Sequence, residues 1–142
     1  MRAKAKLVIA KCYLNLSSVQ KQDAERNDMV AKAETLVLAA SSEVLNIVKG
    51  EHPLIALKFD THMIEVLNTK PESPERTEQI SKVCLQCVKT CCQSFGRESI
   101  HVMRPLYTAF TASLHDEKGP SAKHYIEMML AVKVNNQVCD EN

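Results

Sequence analysis

The fold is decided by the stretch at residues 27–55, NDMVAKAETLVLAASSEVLNIVKGEHPLI. Its apolar residues recur at intervals of three and four, which keeps them on one face of an α-helix and does not fit the two-residue period of a strand. These residues are Val30, Ala33, Val37, Ala40, Val44 and Ile47. Asn27 or Asp28 can cap the start by accepting a backbone N–H, and Gly50 ends the helix. The stretch therefore predicts a long helix over 27–49.

A tight corner is predicted directly after this helix. Pro53 follows Gly50 within three residues, and proline suits the first position of a helix because its missing N–H is not needed there. A connection as short as Gly50-Glu51-His52-Pro53 makes neighbouring helices pack closely and nearly antiparallel. The rest of the chain repeats this arrangement.

The composition is typical of one soluble, mainly helical domain. Of the 142 residues, 45% are hydrophobic and 25% charged, and only three are glycine and five proline. A formal net charge of +1 without a basic run argues against nucleic acid or an anionic membrane as the partner. No apolar run approaches the ~20 residues of a membrane span, and the N-terminal segment does not fit a signal peptide. We therefore expect a cytoplasmic protein with free thiols.

Six helices are predicted, joined by short polar links. They cover 1–16, 27–49, 54–67, 74–95, 101–114 and 120–133, with a loop or frayed helix end at 17–26 and a polar tail at 134–142. They pair into antiparallel hairpins at 1–49, 54–95 and 101–133. Such hairpins bury their apolar faces by stacking, so the expected fold is an all-α superhelix, with 1–133 forming a single domain.

The helices other than 27–49 also have predicted inward faces. In the first helix the lysines at 4, 6 and 11 are expected on the opposite side from the apolar stripe. Ser73, Pro74 and Glu75 have the composition of a helix start, and Gly96 that of a helix end. The inward residues are Leu7, Ile9, Ala10, Tyr13 and Leu14; Ile55, Phe59, Met63 and Val66; Ile80, Val83, Cys84, Cys87, Val88 and Cys91; Met103, Leu106, Phe110 and Leu114; and Tyr125, Ile126, Met129, Leu130 and Val132.

Four cysteines lie close together at 84, 87, 91 and 92. CxxC pairs can ligate zinc, but a tetrahedral site needs four ligands converging on one point. Along a helix rising 1.5 Å per residue, Cys84 and Cys91 are about 10 Å apart. We interpret these thiols as small apolar core residues, with a metal or redox role as the alternative. No catalytic spacing, phosphate loop, metal site or cofactor site is predicted.

Several residues resemble the tetratricopeptide repeat, especially the longer type of kinesin light chain and ciliary scaffold proteins. That family has L-G-x2-Y in the first helix of a repeat and A-x3-F in the second. Residues 9–13, Ile-Ala-Lys-Cys-Tyr, match the first pattern with alanine for glycine, and 50–53 resemble the corner that ends in His-Pro. The second pattern is matched by Ala33 with Val37 and by Ala122 with Ile126.

The sequence also departs from this family. Lys6 occupies the tryptophan position of the first repeat, and the middle hairpin has no recognisable L-G-x2-Y. The links at 17–26 and 68–73 are longer than the usual turn of the family. A closed six-helix bundle and an armadillo-like array are the alternative folds.

The resemblance implies a non-enzymatic protein-interaction scaffold that binds a peptide or helix, in a cytoskeletal, motor or ciliary assembly. First helices of stacked hairpins line a groove. The resulting partner-binding candidates are Lys11, Asn15, Lys58, His62, Arg104 and Thr108, each with an ordinary solvated surface position as the alternative. Two other functions stay open: the C-terminal helical domain of a SET-and-MYND lysine methyltransferase, and a self-associating helical bundle that forms homo-oligomers.

Overall fold

The structure, a computed structural model, describes residues 2–48, 52–115 and 121–140. Within these residues the chain is helical and has no strand, which confirms the predicted all-α class. The helices are α1 (Ala3–Val19), α2 (Asp23–Val48), α3 (Pro53–Thr69), α4 (Pro74–Phe95), a 3-10 turn (Ile100–Val102), α5 (Met103–Ser113) and α6 (Ala122–Asp140).

The helices form two compact units, Met1–Pro71 and Glu72–Asn142. In unit 1, α1 and α3 each pack against α2, and α3 also contacts α1. In unit 2, α5 packs against both α4 and α6. The boundary between the units falls inside the predicted hairpin 54–95. The stacking of three hairpins into one superhelical domain over 1–133 stays a prediction.

The apolar face predicted for 27–49 is the centre of unit 1. Val30, Ala33, Val37 and Ala40 are buried, and Val44 packs against them. Ala10 of α1 is also buried in this core, so small side chains line the seam between α1 and α2. Ile47 is 79% exposed, so its predicted inward position is wrong.

The loop predicted at 17–26 is much shorter in the structure. α1 continues to Val19 and α2 begins at Asp23, so the connection is 20–22 alone. The serines near the end of α1 are part of the helix, and their hydroxyls donate to carbonyls one turn back, Ser17 to Leu14 at 2.7 Å and Ser18 to Asn15 at 2.7 Å. Two acids in the first turn of α2 favour its early start.

The first helix differs from the prediction at two positions. Lys6 is not on the outer side: it pairs with Glu43 of α2, and its side chain is only 14% exposed. Ile9 is at the border of the exposed surface rather than in the core. Leu7 and Ala10 are buried as predicted, and Tyr13 and Leu14 pack against the core from its edge.

The third helix completes the core of unit 1. Pro53 occupies its first turn, as predicted, while the remainder of the first corner, 49–51, lies outside the described residues. The predicted inward face of α3 is confirmed: Phe59 and Val66 are in the core, and Ile55 and Met63 pack against it.

The start and end of α4 follow the sequence signals. The Ser73 hydroxyl accepts the backbone N–H of Arg76 at 3.1 Å, and Pro74 begins the helix. Gly96 ends it with φ 87°, a backbone conformation that glycine adopts without steric cost. Along the helix, the predicted inward residues Ile80, Cys84, Cys87, Val88 and Cys91 are buried, and Val83 is half-buried.

Replacing Ser73 by alanine is expected to lower the free energy of unfolding by about 1 kcal/mol, because an N–H of the first turn of α4 loses its acceptor. Urea denaturation followed by circular dichroism measures the loss. Ser73→Asn is the matched control, since asparagine caps equally well and is expected to leave the stability within about 0.5 kcal/mol. Equal losses in both variants would contradict the capping role.

Helices α5 and α6 bury narrower faces than predicted. The buried residues are Val102 of the 3-10 turn, Leu106 and Ala109 of α5, and Tyr125 and Val132 of α6. The predicted inward positions of Leu114, Ile126 and Leu130 are wrong, since these side chains are 58%, 42% and 55% exposed. Met103, Phe110 and Met129 are half-buried.

Residues 134–140 of the predicted polar tail at 134–142 are helical, and 141–142 lie outside the described residues. α6 runs to Asp140, and its sequence there contains no glycine or proline. The Asn136 side chain donates to the Val132 carbonyl at 2.8 Å and to the Glu98 carbonyl at 3.0 Å. The bond from Asn136 to Glu98 links α6 to the corner at 96–100 within unit 2.

Candidate functional site

An exposed apolar stripe runs along α1 in unit 1, and we call it the outer face of α1. It consists of Val8, Cys12, Leu16 and Val19, at intervals of four, four and three residues, so all lie on one side of the helix. Val8 is 57% exposed, Leu16 49% and Val19 71%. These residues lie opposite the buried Leu7 and Ala10 face, so α1 has two apolar sides and its neighbours cover only one.

A groove lies beside this stripe, between α1 and α2. It has a volume of about 420 Å³ and is lined by Tyr13, Ala31, Lys32, Thr35 and Leu36. Most of the lining is apolar, and Ala31 and Thr35 leave room because their side chains are short. The groove and the outer face of α1 together form a ridge with an adjoining depression, a shape that suits helix packing.

Positive charges border this surface. Lys4 and Lys11 are exposed and lie four residues before and three residues after Val8, on the same side of α1. Lys32, on the groove side, pairs with Asp28 at 2.6 Å; the hydrogen bond and the charge of that carboxylate raise the pKa of Lys32. Among the described residues no ion-pair partner is recorded for Lys4 or Lys11.

Unit 2 also has exposed apolar residues. Ile100, Tyr107 and Leu114 are 56%, 63% and 58% exposed and recur at seven-residue intervals, while α6 exposes Ile126, Leu130 and Val134 at four-residue intervals. The solvent side of α4 differs, since all of its exposed residues between 78 and 93 are polar: Glu78, Gln79, Lys82, Gln86, Lys89 and Gln93. Exposed apolar stripes are therefore found on α1 and α6, whereas the exposed residues of α4 from 78 to 93 form none.

The six partner-binding residues predicted from the resemblance form three pairs, each one turn apart on one helix. Lys11 and Asn15 are exposed on α1, at the edge of its outer face, and Lys58 is exposed on α3. His62 is half-buried, with Nδ1 3.6 Å from the Glu65 carboxylate. Arg104 and Thr108 lie on α5 in unit 2, where the Thr108 hydroxyl donates to the Arg104 carbonyl at 3.1 Å. Their role in binding stays a prediction.

The sequence analysis did not single out Val8, Cys12, Leu16 or Val19. The helical spacing of these residues in 1–19 could have identified a second apolar stripe. Its last residue, Val19, fell in the segment 17–26 that was predicted as a loop. Periodicity assigned a single apolar side to this helix, whereas the structure shows two.

The cysteine cluster of α4 is part of the core of unit 2. Cys84, Cys87 and Cys91 are buried, as the core-packing interpretation predicts, and among the described residues no group of three or more His, Cys, Asp or Glu side chains is placed to hold a metal ion. Burial raises the pKa of Cys84 to about 11. Since this value exceeds the ordinary thiol pKa of 9.0, the associated stability is present below about pH 9 and is lost as the pH rises toward 11.

Iodoacetamide is expected to modify Cys12 in the folded protein at neutral pH and to leave Cys84 unmodified. The thiolate is the nucleophile, and raising the pKa from 9.0 to about 11 lowers its fraction about 100-fold, in addition to the steric protection. Mass spectrometry of tryptic peptides measures both sites. In urea the two cysteines should react at similar rates. Rapid modification of Cys84 in the native protein would contradict its burial.

Comparisons with known proteins do not extend this description. A scan against protein-family models finds no match, and neither do searches of curated proteins and of solved structures. Within the described residues, no helix combines the length and the apolar character needed to cross a bilayer. The fold and the exposed surfaces therefore carry the functional argument.

Proposed function

We propose that this chain is a non-enzymatic protein-interaction module that binds a peptide or helix of a larger assembly. The observation that carries the proposal is the outer face of α1 with its adjoining groove. An apolar stripe of three turns, exposed on a helix whose opposite side is already packed, is typical of a surface that a partner covers. The resemblance to tetratricopeptide repeats supports the same class of function and suggests a cytoskeletal, motor or ciliary setting.

The size of the apolar stripe indicates what kind of partner it suits. Completing the burial of its four half-exposed side chains stabilises a complex by on the order of 3–5 kcal/mol. Association itself costs about 4–15 kcal/mol, because the two partners lose translational and rotational freedom. The stripe alone is therefore too small, and a partner must also use the groove and the flanking charges. A helix lying along α1 reaches all three.

Selection from a phage-displayed library of random helical peptides tests this proposal. We expect enriched sequences with apolar residues at i, i+3, i+4 and i+7, the pattern of a helix that docks in a groove. Binding of an enriched synthetic peptide should weaken at least about fivefold in Leu16→Ser, because the loss of one central apolar anchor costs more than about 1 kcal/mol. Gln86→Ser, on the polar side of α4, is the control and should bind normally. The proposal would be contradicted if the selection enriched no peptide, or if the enriched peptides bound the Leu16→Ser variant as tightly as the unchanged protein.

Self-association is a second candidate, favoured by the exposed stripes on α5 and α6. Burying Ile126, Leu130 and Val134 of one copy against those of another would cover the largest apolar surface of α6. Analytical ultracentrifugation over a hundredfold concentration range measures it. A monomer at every concentration, or an oligomer unaffected by Leu130→Asp, would exclude this surface as the interface.

A further inference from the structure

We propose that the partner of the outer face of α1 is an acidic amphipathic helix, with Asp or Glu side chains flanking its apolar stripe. This inference rests on the proposed function and adds the chemistry of the occupant. Its basis is the combination of an exposed apolar ridge, a concave groove and a one-sided distribution of charge.

The charge distribution of the N-terminal segment is strongly asymmetric. Residues 1–22 contain Arg2, Lys4, Lys6, Lys11 and Lys21 and no Asp or Glu, so they have a formal charge of +5 in a chain whose net charge is +1. Lys6 is turned inward and is neutralised by Glu43 of α2. The other cations of α1, Lys4 and Lys11, remain exposed beside the apolar stripe.

The positions of Lys4 and Lys11 determine which edge of a docked helix they can contact. Both lie on the side of Val8, along the border of the outer face of α1, while Lys32 borders the groove on the opposite side. A helix seated on the stripe would thus have two exposed lysines, Lys4 and Lys11, along one edge, while Lys32 on the groove side is already paired with Asp28. Carboxylates at the edge of its apolar face next to Lys4 and Lys11 would meet these lysines, and like charges there would be repelled.

The length of the stripe fits a short helix. From Val8 to Val19 the backbone rises about 16 Å, since each residue adds 1.5 Å. A partner helix of about three to four turns covers this length and places anchors at i, i+3, i+4 and i+7. The groove lined by Tyr13, Ala31 and Leu36 accepts side chains from one edge of that helix.

Other occupants agree less well with these observations. A second copy of this surface would bring the same exposed lysines together, which opposes pairing of α1 with α1. An anionic bilayer would satisfy the charges, but it is a broad surface, whereas this site is a narrow ridge beside a groove of about 420 Å³. Nucleic acid would leave the apolar stripe uncovered. The acidic helix alone uses the stripe, the groove and the charges together.

A pair of synthetic peptides provides the test. Both are 16-residue helices with the same leucines at i, i+3, i+4 and i+7; one has Glu and the other Lys at the positions flanking the leucines. Fluorescence anisotropy with the full chain at low salt measures both affinities. We expect the acidic peptide to bind about tenfold more tightly, because the two ion pairs with Lys4 and Lys11 each contribute about threefold, and the preference should shrink in high salt.

Charge reversal identifies the lysines responsible. The double variant Lys4→Glu with Lys11→Glu is expected to remove or invert the preference for the acidic peptide. The matched control is Lys82→Glu with Lys89→Glu, because these exposed lysines are also seven residues apart but lie on the polar side of α4. The control should retain the preference, and circular dichroism checks that both variants stay helical.

Each remaining outcome has a defined meaning. If both peptides bind equally and Leu16→Ser weakens both, the inference about charge is overturned and the proposed function stands. If neither peptide binds, the outer face of α1 is not a helix-docking surface and the inference is overturned. If vesicles of equal parts phosphatidylserine and phosphatidylcholine displace the acidic peptide through Lys4 and Lys11, a lipid surface replaces the helix as the occupant.

Discussion

Replacing Phe59 by alanine is expected to lower the free energy of unfolding by about 3–5 kcal/mol, the usual cost of removing a buried aromatic ring. Phe59 is only 6% exposed and joins α3 to the core formed by α1 and α2. Deleting its ring leaves a cavity between these helices, because the surrounding side chains collapse only in part. Since domains are stable by about 5–15 kcal/mol, this variant should lose a large fraction of its stability.

Urea denaturation followed by circular dichroism measures the effect of Phe59→Ala. Leu54→Ala is the control on the same helix, because Leu54 is 60% exposed and its removal should change stability by less than about 0.5 kcal/mol. If the two variants lose similar amounts of stability, α3 does not pack through Phe59 and the described core of unit 1 is wrong.

Leu106→Ala is expected to have a comparable effect on unit 2, about 2–5 kcal/mol. Leu106 is fully buried in α5, the helix that contacts both α4 and α6, so its removal weakens both packing surfaces. Hydrogen exchange measured by mass spectrometry should show loss of protection in α5 and α6.

The neighbouring residue gives a stringent control for Leu106→Ala. Tyr107 is 63% exposed, and its ring lies 6.4 Å from that of Phe110, so Tyr107→Ala should cost less than about 1 kcal/mol. A larger loss for Tyr107→Ala than for Leu106→Ala would show that α5 is rotated relative to the described orientation.

The sequence predicted the helices and the faces of the long ones well, for identifiable reasons. In α4 the apolar residues form one dominant stripe, so the period alone orients the helix, and in α2 the three- and four-residue spacing of Val30, Ala33, Val37 and Ala40 identifies the buried face although Leu38 is exposed. Ser73 and Gly96 mark the ends of α4 through side-chain and backbone chemistry that acts locally. Such signals need no knowledge of the tertiary structure.

The prediction was wrong where local signals were ambiguous. In α1 and α6 apolar residues cover two sides, and only the packing of neighbouring helices decides that Leu7 and Tyr125 are buried while Leu16 and Leu130 are exposed. The stretches at 17–26 and 134–142 are mostly polar, yet 17–19, 23–26 and 134–140 are helical, where serine and asparagine side chains bond to helix carbonyls.

The candidate site was anticipated in part. Lys11 and Asn15 were predicted as partner-binding residues, and the structure places them along the border of the outer face of α1. The apolar residues of that face were not identified, since a sequence does not reveal which apolar side of a helix remains uncovered. The groove beside Tyr13 depends on residues about 20 positions apart in the chain, a distance over which helical periodicity gives no information.

The alanines between α1 and α2 restrict which substitutions homologous sequences can tolerate at this seam. Ala33 and Ala40 have no exposed surface, and Ala10 is 2% exposed, so methyl groups set the spacing of the two backbones. A larger side chain at one of these positions requires a smaller one opposite or a wider hairpin, which would also change the width of the groove. In homologous sequences we therefore expect compensating changes of volume across this seam, and the size of the residue at position 33 should vary together with the partners that the groove accepts.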